Sequence, residues 1–545
     1  MKKFLAIFLA LVMVLGLCAC GQGSSNGGHG LTADGKVKLS IGMPSNANIL
    51  SLDNNAFTRW IEEKCGVEIT FVEYAGGTDV ATQISTTIAA RQELPDILWG
   101  VQMNTNTISR YGKEGYFVDL SPYYNDKEGK AKVFWERMEN ELTEAEQDVV
   151  IRTITDPTTG EIYGAPCVET SLIDKQQFQL WINTKWLDTL GLEKPTNNDD
   201  LVKVLKAFKN DDPNGNGQPD EIPLYGSLSG LGGNIVDWLL NLFVYYREDR
   251  PYLVDENGKL SPVFMDDDYR EGLKFINKLV KEGLLSPLTF TTTTQEMKGI
   301  VTPTAGTPLV GIFAGHLSQV CQNGNEIMYD YEPLQTWGYA IRNDLTVSPY
   351  TYITESCQNV DKAFEVLMAV WSWEGSMRAR YGEYGNNWTD ATEGAVSAMG
   401  IDATFKLVND PFGKQNDVLW AKMGPALNIM AEMESAELAA ELPEWDKKKA
   451  QMHAENYALI REVEETRTPE KVMPKLVYSE EDTKAVEKES TNTYERYRKA
   501  QNDFILSQNG MDPNNDANWD AYIQEMIDFG IEKLTERAQR YYDKG

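Results

Sequence analysis

The chain has 545 residues, of which 42% are hydrophobic and 24% are charged. These fractions are typical of folded globular proteins and exclude a disordered, collagen-like or multi-spanning membrane protein. The net charge of −31, from 51 Lys and Arg against 82 Asp and Glu, would repel phosphate backbones. The charge therefore excludes a general nucleic-acid binder. The length predicts roughly three to four domain-sized units of about 150 residues.

The first residues predict an export signal. Two lysines precede an unbroken apolar run at residues 4–17, which is shorter than the roughly 20 residues that span a membrane. The run ends in Leu17-Cys18-Ala19-Cys20, which resembles the lipobox of bacterial lipoproteins, where cleavage precedes a lipid-modified cysteine. We predict a lipoprotein signal peptide at 1–19, lipidation of Cys20 and a flexible Gly/Ser/Asn-rich tether at 20–36. An ordinary secretory signal is the alternative.

A lipidated Cys20 would hold the protein on the extracytoplasmic face of the cell membrane, because two acyl chains give stable anchoring. Four further cysteines belong to the folded body: Cys65, Cys167, Cys321 and Cys357. No two of them form a CxxC motif, which excludes zinc ribbons and thioredoxin-like sites. Three disulfide pairings and free buried thiols all remain open.

Strand and helix patterns alternate from residue 37. Predicted strands at 37–43, 67–74 and 95–100 enclose predicted helices at 50–64 and 79–91. A βαβαβ order predicts a parallel, doubly wound sheet, whose ligand sites lie off the carboxyl ends of the strands.

The remainder of the chain predicts a second α/β region and a helical end. Helices are predicted from a Thr196 cap, over 266–282 and over 360–373, and the segments PLVGIFA and YAIRN resemble strands. From about residue 426 onward the chain is charged and predicted to be mostly helical.

Several segments together resemble a known family. They are GEIYGAP, WINTKWLDTLGLEKPTNNDDLVKVLKAFKNDDPNGNGQPDEIPL, GIFAGH, RYGEYGNNW and the terminal NWDAYIQEMIDFGIEKLTERAQRYYD. With the lipobox, they resemble the family 1 extracellular solute-binding lipoproteins, which serve ABC importers of oligosaccharides, among them the alginate-oligosaccharide-binding proteins. The resemblance implies a type II periplasmic-binding-protein fold: two doubly wound α/β lobes joined by hinge segments, with a helical C-terminal region.

The resemblance also implies how the chain is divided and what it does. We expect residues 37–165 with 304–357 to form lobe 1, and residues 166–303 with 358–545 to form lobe 2. We expect a monomer that captures an oligosaccharide by hinge closure and delivers it to ABC permease subunits, without nucleic-acid partners and without enzymatic activity.

The stretch from Asp212 to Glu221 has the spacing of a calcium-binding loop. Oxygen-bearing side chains at alternate positions and a glycine at position 6 suit a hard cation, which takes six to eight oxygen ligands. Position 12 holds Pro223 in place of the usual Glu. We predict a structural Ca²⁺ with these ligands: Asp212, Asn214, Asn216, Gln218, Asp220 and Glu221. A metal-free Asn-Gly turn is the alternative.

Aromatic residues at strand ends and in Gly/Asn-rich loops are candidates for stacking on sugar rings. The candidates are Trp99, Trp238, His316, Tyr384 and Trp388. Each is about as readily explained as a core side chain, and Trp238 more readily so, since aromatic residues bury large areas.

Two other functions compete with the oligosaccharide receptor. A receptor for peptides or other solutes would use the same scaffold, because a fold alone does not fix the ligand. A secreted glycosidase would need two carboxylates about 5–10 Å apart, and the acidic doublets of this sequence are more simply explained as solvated helix faces. The nucleophile motif GxSxG and the phosphate-loop motif GxxxxGK[ST] are both missing from the sequence.

Overall fold

The fold is described from a computed structural model. It describes residues 30–75, 80–156, 159–169, 179–228, 230, 233–304, 306–322, 324–341, 345–411, 414–428, 435–476, 478 and 480–543. The predicted signal peptide, Cys20 and tether residues 20–29 lie outside these residues. Residues 30–31 of the predicted flexible tether instead form a strand that pairs with residues 37–38. Within the described ranges, none of the helices combines the length and the apolar composition that a membrane crossing requires.

The described strands are β1 Gly30–Leu31, β2 Val37–Pro44, β3 Val67–Tyr74, β4 Ile97–Leu98, β5 Ala165–Glu169, β6 Leu180–Asn183, β7 Ile222–Tyr225, β8 Tyr252–Val254, β9 Leu260–Pro262, β10 Val310–Ala314, β11 Tyr331–Pro333, β12 Thr346–Ile353, β13 Trp388–Asp390, β14 Phe405–Leu407, β15 Leu427–Asn428 and β16 Ala436–Leu438.

The described helices are α1 Ala56–Cys65, α2 Val80–Ala89, α3 Thr105–Lys113, α4 Ser121–Tyr124, α5 Lys132–Glu141, α6 Glu144–Ile154, α7 Thr184–Leu190, α8 Asn198–Asn210, α9 Ile235–Asn241, α10 Asp267–Lys281, α11 Thr294–Val301, α12 Leu317–Val320, α13 Val360–Trp371, α14 Trp373–Tyr381, α15 Glu444–Arg467, α16 Glu480–Leu506, α17 Asp516–Asp528 and α18 Ile531–Tyr542.

The first lobe is built on a seven-stranded sheet. Its order is β1-β2-β4-β12-β5-β15, and the seventh strand, β3, also pairs with β2. Strand β2 pairs in parallel with both β3 and β4, which confirms the predicted βαβαβ unit. Helix α1 starts after the predicted position because Asn55 caps it, accepting a hydrogen bond from the Phe57 N–H.

The second lobe has a four-stranded sheet in the order β11-β6-β10-β7. Strand β10 lies parallel to β7 and antiparallel to β6. Helices α7 to α10 cover one face and enclose a large apolar core, which includes Leu180, Trp186, Phe208, Leu224, Trp238, Leu273 and Ile312. The two sheets thus have separate cores, the architecture expected of two α/β lobes.

The C-terminal helices pack on the second lobe. The side-chain amide of Asn277 on α10 donates to the carbonyl oxygens of Phe504 and Ile505 at 3.1 and 2.9 Å. The Tyr522 hydroxyl donates to the Phe264 carbonyl oxygen at 3.1 Å. These bonds satisfy buried polar groups, so α16 and α17 are fixed parts of the second lobe rather than an appendage.

The lobe boundaries differ from those predicted for the middle of the chain. Within 304–357, which was assigned to lobe 1, strand β10 lies in the second sheet and only β12 lies in the first. Helix α13, assigned to lobe 2, packs in the first core through residues such as Phe364 and Trp371. The reason is that β10 pairs with β6, about 130 residues earlier, a contact that local patterns do not report.

Three local predictions are also corrected. The YAIRN segment is not a strand over its described residues 339–341. The cap of α8 is Asn197 rather than Thr196: the Asn197 Oδ1 accepts the Asp200 N–H at 2.9 Å. The predicted helix over 360–373 divides at Ser372, which ends α13 and caps α14.

Candidate functional site

The parallel strands of the two sheets define the edges where a ligand site is expected. In the first sheet β2, β3 and β4 end at Pro44, Tyr74 and Leu98; in the second, β7 and β10 end at Tyr225 and Ala314. Ligands of open α/β sheets bind beyond the carboxyl ends of such strands. The candidate site is therefore built from the loops that follow these five strands.

The edge of the second sheet carries a cluster of rings, Trp181, His316 and His453, here called the His316 cluster. His316 comes two residues after β10, where Gly315 has a φ of 142° that a side chain would strain. The Gly315 N–H donates to the Gln179 carbonyl oxygen and the Trp181 Nε1–H donates to the Gly315 carbonyl oxygen, both at 2.9 Å. The His453 ring lies 4.7 Å from His316 and 6.1 Å from Trp181, between ring centroids.

Burial keeps both histidines of the cluster uncharged. Loss of hydration lowers the pKa of His316 to about 4, and the Lys449 ammonium nearby lowers it further. Loss of hydration also places the pKa of His453 well below its ordinary value, and the nearby His316 and Lys449 lower it further. Neutral imidazoles both donate and accept hydrogen bonds, which suits hydroxyl-rich ligands.

His453 and its neighbour Trp445 escaped sequence reasoning. Both lie on α15, in a region where charged residues predominate, and both are only 6% exposed. The sequence does indicate a buried face of this helix. Residues at spacings of four, three and four lie on that face: Trp445, Lys449, Met452 and Asn456.

Trp99, at the edge of the first sheet, is a core residue. Its side chain is fully buried, its Nε1–H donates to the Lys422 carbonyl oxygen at 3.0 Å, and its ring meets that of Trp420 edge-on at 4.9 Å. A Cβ at Gly424 would overlap the ring. Trp99 therefore forms the floor of this edge and does not present a face for stacking.

Trp238 and Trp388 are also buried. The Trp238 Nε1–H donates to the Thr336 hydroxyl at 3.2 Å, and the Trp388 Nε1–H donates to the Gly382 carbonyl oxygen at 2.9 Å. Both rings are at most 2% exposed. The structure thus favours the core role that the sequence left open for each of them.

Tyr384 is the most exposed of the predicted aromatics, with 43% of its surface accessible. Its ring packs edge-on against Trp388 at 4.8 Å and its hydroxyl donates to Asp390 at 2.9 Å. Trp388 also meets the partly exposed Trp373 edge-on at 5.5 Å. The buried Trp388 thus supports two accessible rings, and Tyr384 can contact a ligand while Trp388 cannot.

The loop from Asp212 to Glu221 folds on its own polar groups. The Asp212 carboxylate accepts the backbone N–H groups of Asn216 and Gly217 at 3.1 and 3.0 Å. The Asp220 carboxylate accepts the side-chain amides of Asn214 and Asn216 at 3.1–3.2 Å. Gly215 and Gly217, with φ of 69° and 73°, make the sharp turns that a cation-binding loop needs.

Glu221 carries the evidence that this loop suits a cation. Its Oε1 is buried and has no hydrogen-bond partner among the described residues. Burial, followed by the nearby charges of Asp212 and Asp220, raises the pKa of Glu221. A divalent cation would give the buried Oε1 a partner and would balance the neighbouring negative charges. Carboxylate and amide oxygens are the hard donors that Ca²⁺ prefers.

The fit to calcium is incomplete in this conformation. Over the described part of the chain, no three His, Cys, Asp or Glu side chains are gathered closely enough to hold a metal ion. The Asn214 and Asn216 amides direct nitrogen, not oxygen, toward Asp220. Binding an ion would require these amides to turn and the carboxylates to converge.

The four cysteines of the folded body are free and buried. Burial raises the pKa of the Cys65 thiol to about 11 and that of the Cys167 and Cys357 thiols to about 12. Of the alternatives left open by the sequence, the structure shows free thiols that are protonated at neutral pH.

Comparison with known proteins agrees with this architecture. Residues 47–367, more than half of the chain, match the family of bacterial extracellular solute-binding proteins. Curated relatives are the fructooligosaccharide ABC transporter substrate-binding protein FusA of Streptococcus pneumoniae, 32% identical over 42% of this chain and 41% of that protein, and the lipoprotein LipO of Bacillus subtilis, 29% identical over 52% and 51%. The chain spans about half the length of the curated relatives it matches.

Solved structures share the fold over nearly the whole chain. An extracellular solute-binding protein of Bifidobacterium longum subsp. infantis has a TM-score of 0.74 at 21% identity, covering 94% of this chain and 99% of that one. FusA of S. pneumoniae in complex with kestose has a TM-score of 0.70 at 21% identity, covering 93% and 99%. These likenesses confirm the predicted two-lobe α/β fold of periplasmic binding proteins. By its family match, the chain belongs to the bacterial extracellular solute-binding proteins.

Proposed function

We propose that the protein is an oligosaccharide receptor that is anchored to the membrane through Cys20 and delivers its cargo to an ABC importer. The observation that carries the proposal is the two-lobe architecture of a family whose relatives are named for sugar ligands: fructooligosaccharides for FusA, and polygalacturonan and rhamnogalacturonan for YtcQ of B. subtilis. Of the predicted contact residues, His316 and Tyr384 are retained in this proposal.

The chain path supports the proposal that the two lobes close over a ligand. The chain passes between the lobes three times: after β5, between residues 341 and 346, and between β16 and α15. Two polar contacts between the lobes in the described part of the chain are long: Lys414 Nζ lies 3.8 Å from the Asp446 carboxylate, and the Asn106 amide lies 3.5 Å from Glu487. A ligand that touches both lobes would stabilise the closed state by its differential affinity for that state.

We also propose that the Asp212–Glu221 loop binds a structural calcium ion. Asp212, Asp220 and Glu221 would supply carboxylate oxygens, Asn214 and Asn216 amide oxygens, and Gln218 its carbonyl oxygen. The buried, unpartnered Glu221 Oε1 supports this assignment. A solved FusA structure, with a TM-score of 0.70, is described as an EF-hand mutant, which associates such a loop with this fold.

The receptor function is tested by a thermal-shift screen of the folded body against neutral oligosaccharides, uronate oligosaccharides and peptides. We expect a rise in melting temperature with one class of sugar and no change in the sugar itself, because a ligand that binds only the native state stabilises it. Stabilisation by peptides alone would contradict the oligosaccharide assignment, and release of shorter sugars would identify a glycosidase instead.

The anchor is tested by Cys20→Ser. We expect this variant to move from the membrane fraction to the soluble fraction, because no acyl chain can be attached without the thiol. Cys18→Ser is the matched control, since it changes the neighbouring cysteine and keeps Cys20. A Cys20→Ser protein that stays in the membrane fraction would contradict lipidation at this position.

A further inference from the structure

The His316 cluster allows the chemical class of the cargo to be narrowed. This inference rests on the proposed receptor function. Its starting point is the tautomer of His316: the Nδ1 atom accepts the backbone N–H of Ser318 at 3.3 Å, so in the neutral ring the proton lies on Nε2. His316 is half-buried, and it therefore offers an N–H donor at the carboxyl edge of the second sheet.

His453, whose ring lies 4.7 Å from that of His316, has a ring nitrogen without a hydrogen-bond partner among the described residues. The Nδ1 of His453 is buried and has no hydrogen-bond partner among the described residues. The Nε1 of Trp445, two turns earlier on α15, is in the same condition. Buried polar groups in native proteins are normally paired with protein, water or ligand, so the Nδ1 of His453 is available to a ligand or to a water molecule.

The cation beside the pair already has a carboxylate partner. Lys449 is the cation whose charge reaches both imidazoles. Its ammonium lies 3.6 Å from the Asp446 carboxylate, which also lies 3.8 Å from Lys414. The rings therefore face a ligand as neutral hydrogen-bonding groups, with the Lys449 charge paired within the protein.

We propose that His316 and His453 form a hydrogen-bonding subsite for the hydroxyl groups of a neutral oligosaccharide. His316 donates from Nε2 to a sugar oxygen. His453 packs behind the His316 ring and keeps that ring in place. Its Nδ1 forms a hydrogen bond with the sugar, or with a water molecule that the sugar orders. The C-terminal helix α15 thereby contributes to cargo recognition together with β10.

The experiment measures affinity by titration calorimetry for matched trisaccharides, kestose and maltotriose as neutral probes and trigalacturonate as the acidic probe, at pH 8, 7 and 6. We expect a neutral sugar to bind with a dissociation constant that is unchanged over this range, since neither histidine takes up a proton there. His316→Ala should weaken that binding at least tenfold, and His316→Gln, which keeps an N–H donor, should recover part of the loss. The melting temperatures of the free variants show whether they are folded.

A spectroscopic readout separates contact from a structural role. The chain contains three histidines, so selective labelling of histidine rings with ¹³C gives three sets of signals. Addition of the neutral sugar should shift the His316 signals, which His316→Gln identifies, and leave them in the neutral form. A structural histidine remote from the sugar would show no such shift.

Each outcome decides between the two proposals. Strong binding of trigalacturonate that tightens as the pH falls overturns the neutral subsite and keeps the receptor. Neutral-sugar binding that is unaffected in His316→Ala likewise overturns the subsite alone. If the folded wild-type protein binds none of the three sugars, and none in the wider thermal-shift screen, the receptor proposal fails and the subsite fails with it.

Discussion

Trp388→Ala is expected to lower the free energy of unfolding by about 3–5 kcal/mol, the cost of removing a large side chain from a closely packed core. The ring is 2% exposed and packs with Met377, Tyr381 and Phe405. The substitution also leaves the Gly382 carbonyl oxygen without its donor. Chemical denaturation, followed by the fluorescence of the remaining tryptophans, measures the loss.

Tyr384→Ala is the matched control, because Tyr384 touches the same ring from the exposed side. It should change the free energy of unfolding by less than about 1 kcal/mol, as surface substitutions usually do. If Tyr384 contacts the cargo, this variant weakens sugar binding at an unchanged melting temperature. The reverse result, in which Trp388→Ala keeps full stability and loses sugar affinity, would restore the stacking role that the sequence suggested for Trp388.

Chelation of calcium is expected to lower the melting temperature of the wild-type protein by several degrees. A ligand present at one hundred times its dissociation constant contributes about 2.7 kcal/mol to the native state. Asp212→Ala should remove this response to the chelator, because the Asp212 carboxylate is the first ligand of the loop and also orders it by accepting two backbone N–H groups. Differential scanning calorimetry with and without chelator gives the comparison.

The chain offers a matched control in Asp512→Ala. Asp512 begins the similar sequence Asp-Pro-Asn, but its carboxylate accepts the Asn514 N–H and lies 3.9 Å from Lys281. This variant should keep the full response to the chelator. Equal responses in the wild type and Asp212→Ala would contradict the calcium assignment.

The raised pKa of Glu221 gives the calcium effect a pH dependence. In the metal-free protein, Glu221 holds its proton at a higher pH than an ordinary glutamate. Calcium must displace that proton, so the stabilisation by calcium should be greatest at neutral pH and should decline as the pH falls through the pKa of Glu221. Calorimetry at pH 7.5 and 5.5 at one calcium concentration tests this sign.

Local elements of the fold were predictable from the sequence because their patterns are strong. Strand β3 occupies the predicted residues 67–74, and α10 lies within the predicted range 266–282 with Asp266 as its cap. The placement of β10 in the second sheet was not predictable, since it depends on pairing with a strand that is distant in sequence. Helical and strand periodicities specify which side of an element is buried, not which lobe covers it.

The candidate site was predicted less well, for a physical reason. Aromatic side chains bury well and also stack on sugars, so composition cannot separate the two roles. Trp99 and Trp388 show the first role, and their bonded indole N–H groups are visible only in three dimensions. His316 was found because it follows a strand end, whereas His453 comes from a helix 137 residues later whose burial is not expected from its charge.

The position of β12 has a consequence for how the protein is made. This strand lies in the interior of the first sheet, between β4 and β5, although it follows β5 by nearly 180 residues and comes after most of the second lobe. During synthesis, the first sheet therefore lacks the strand that joins β4 to β5 until residue 353 has emerged from the ribosome. Such late long-range pairing slows folding and leaves strand edges open to aggregation. For the membrane anchoring proposed above, this delay would be an advantage, because the lobe cannot close before the chain has crossed the membrane.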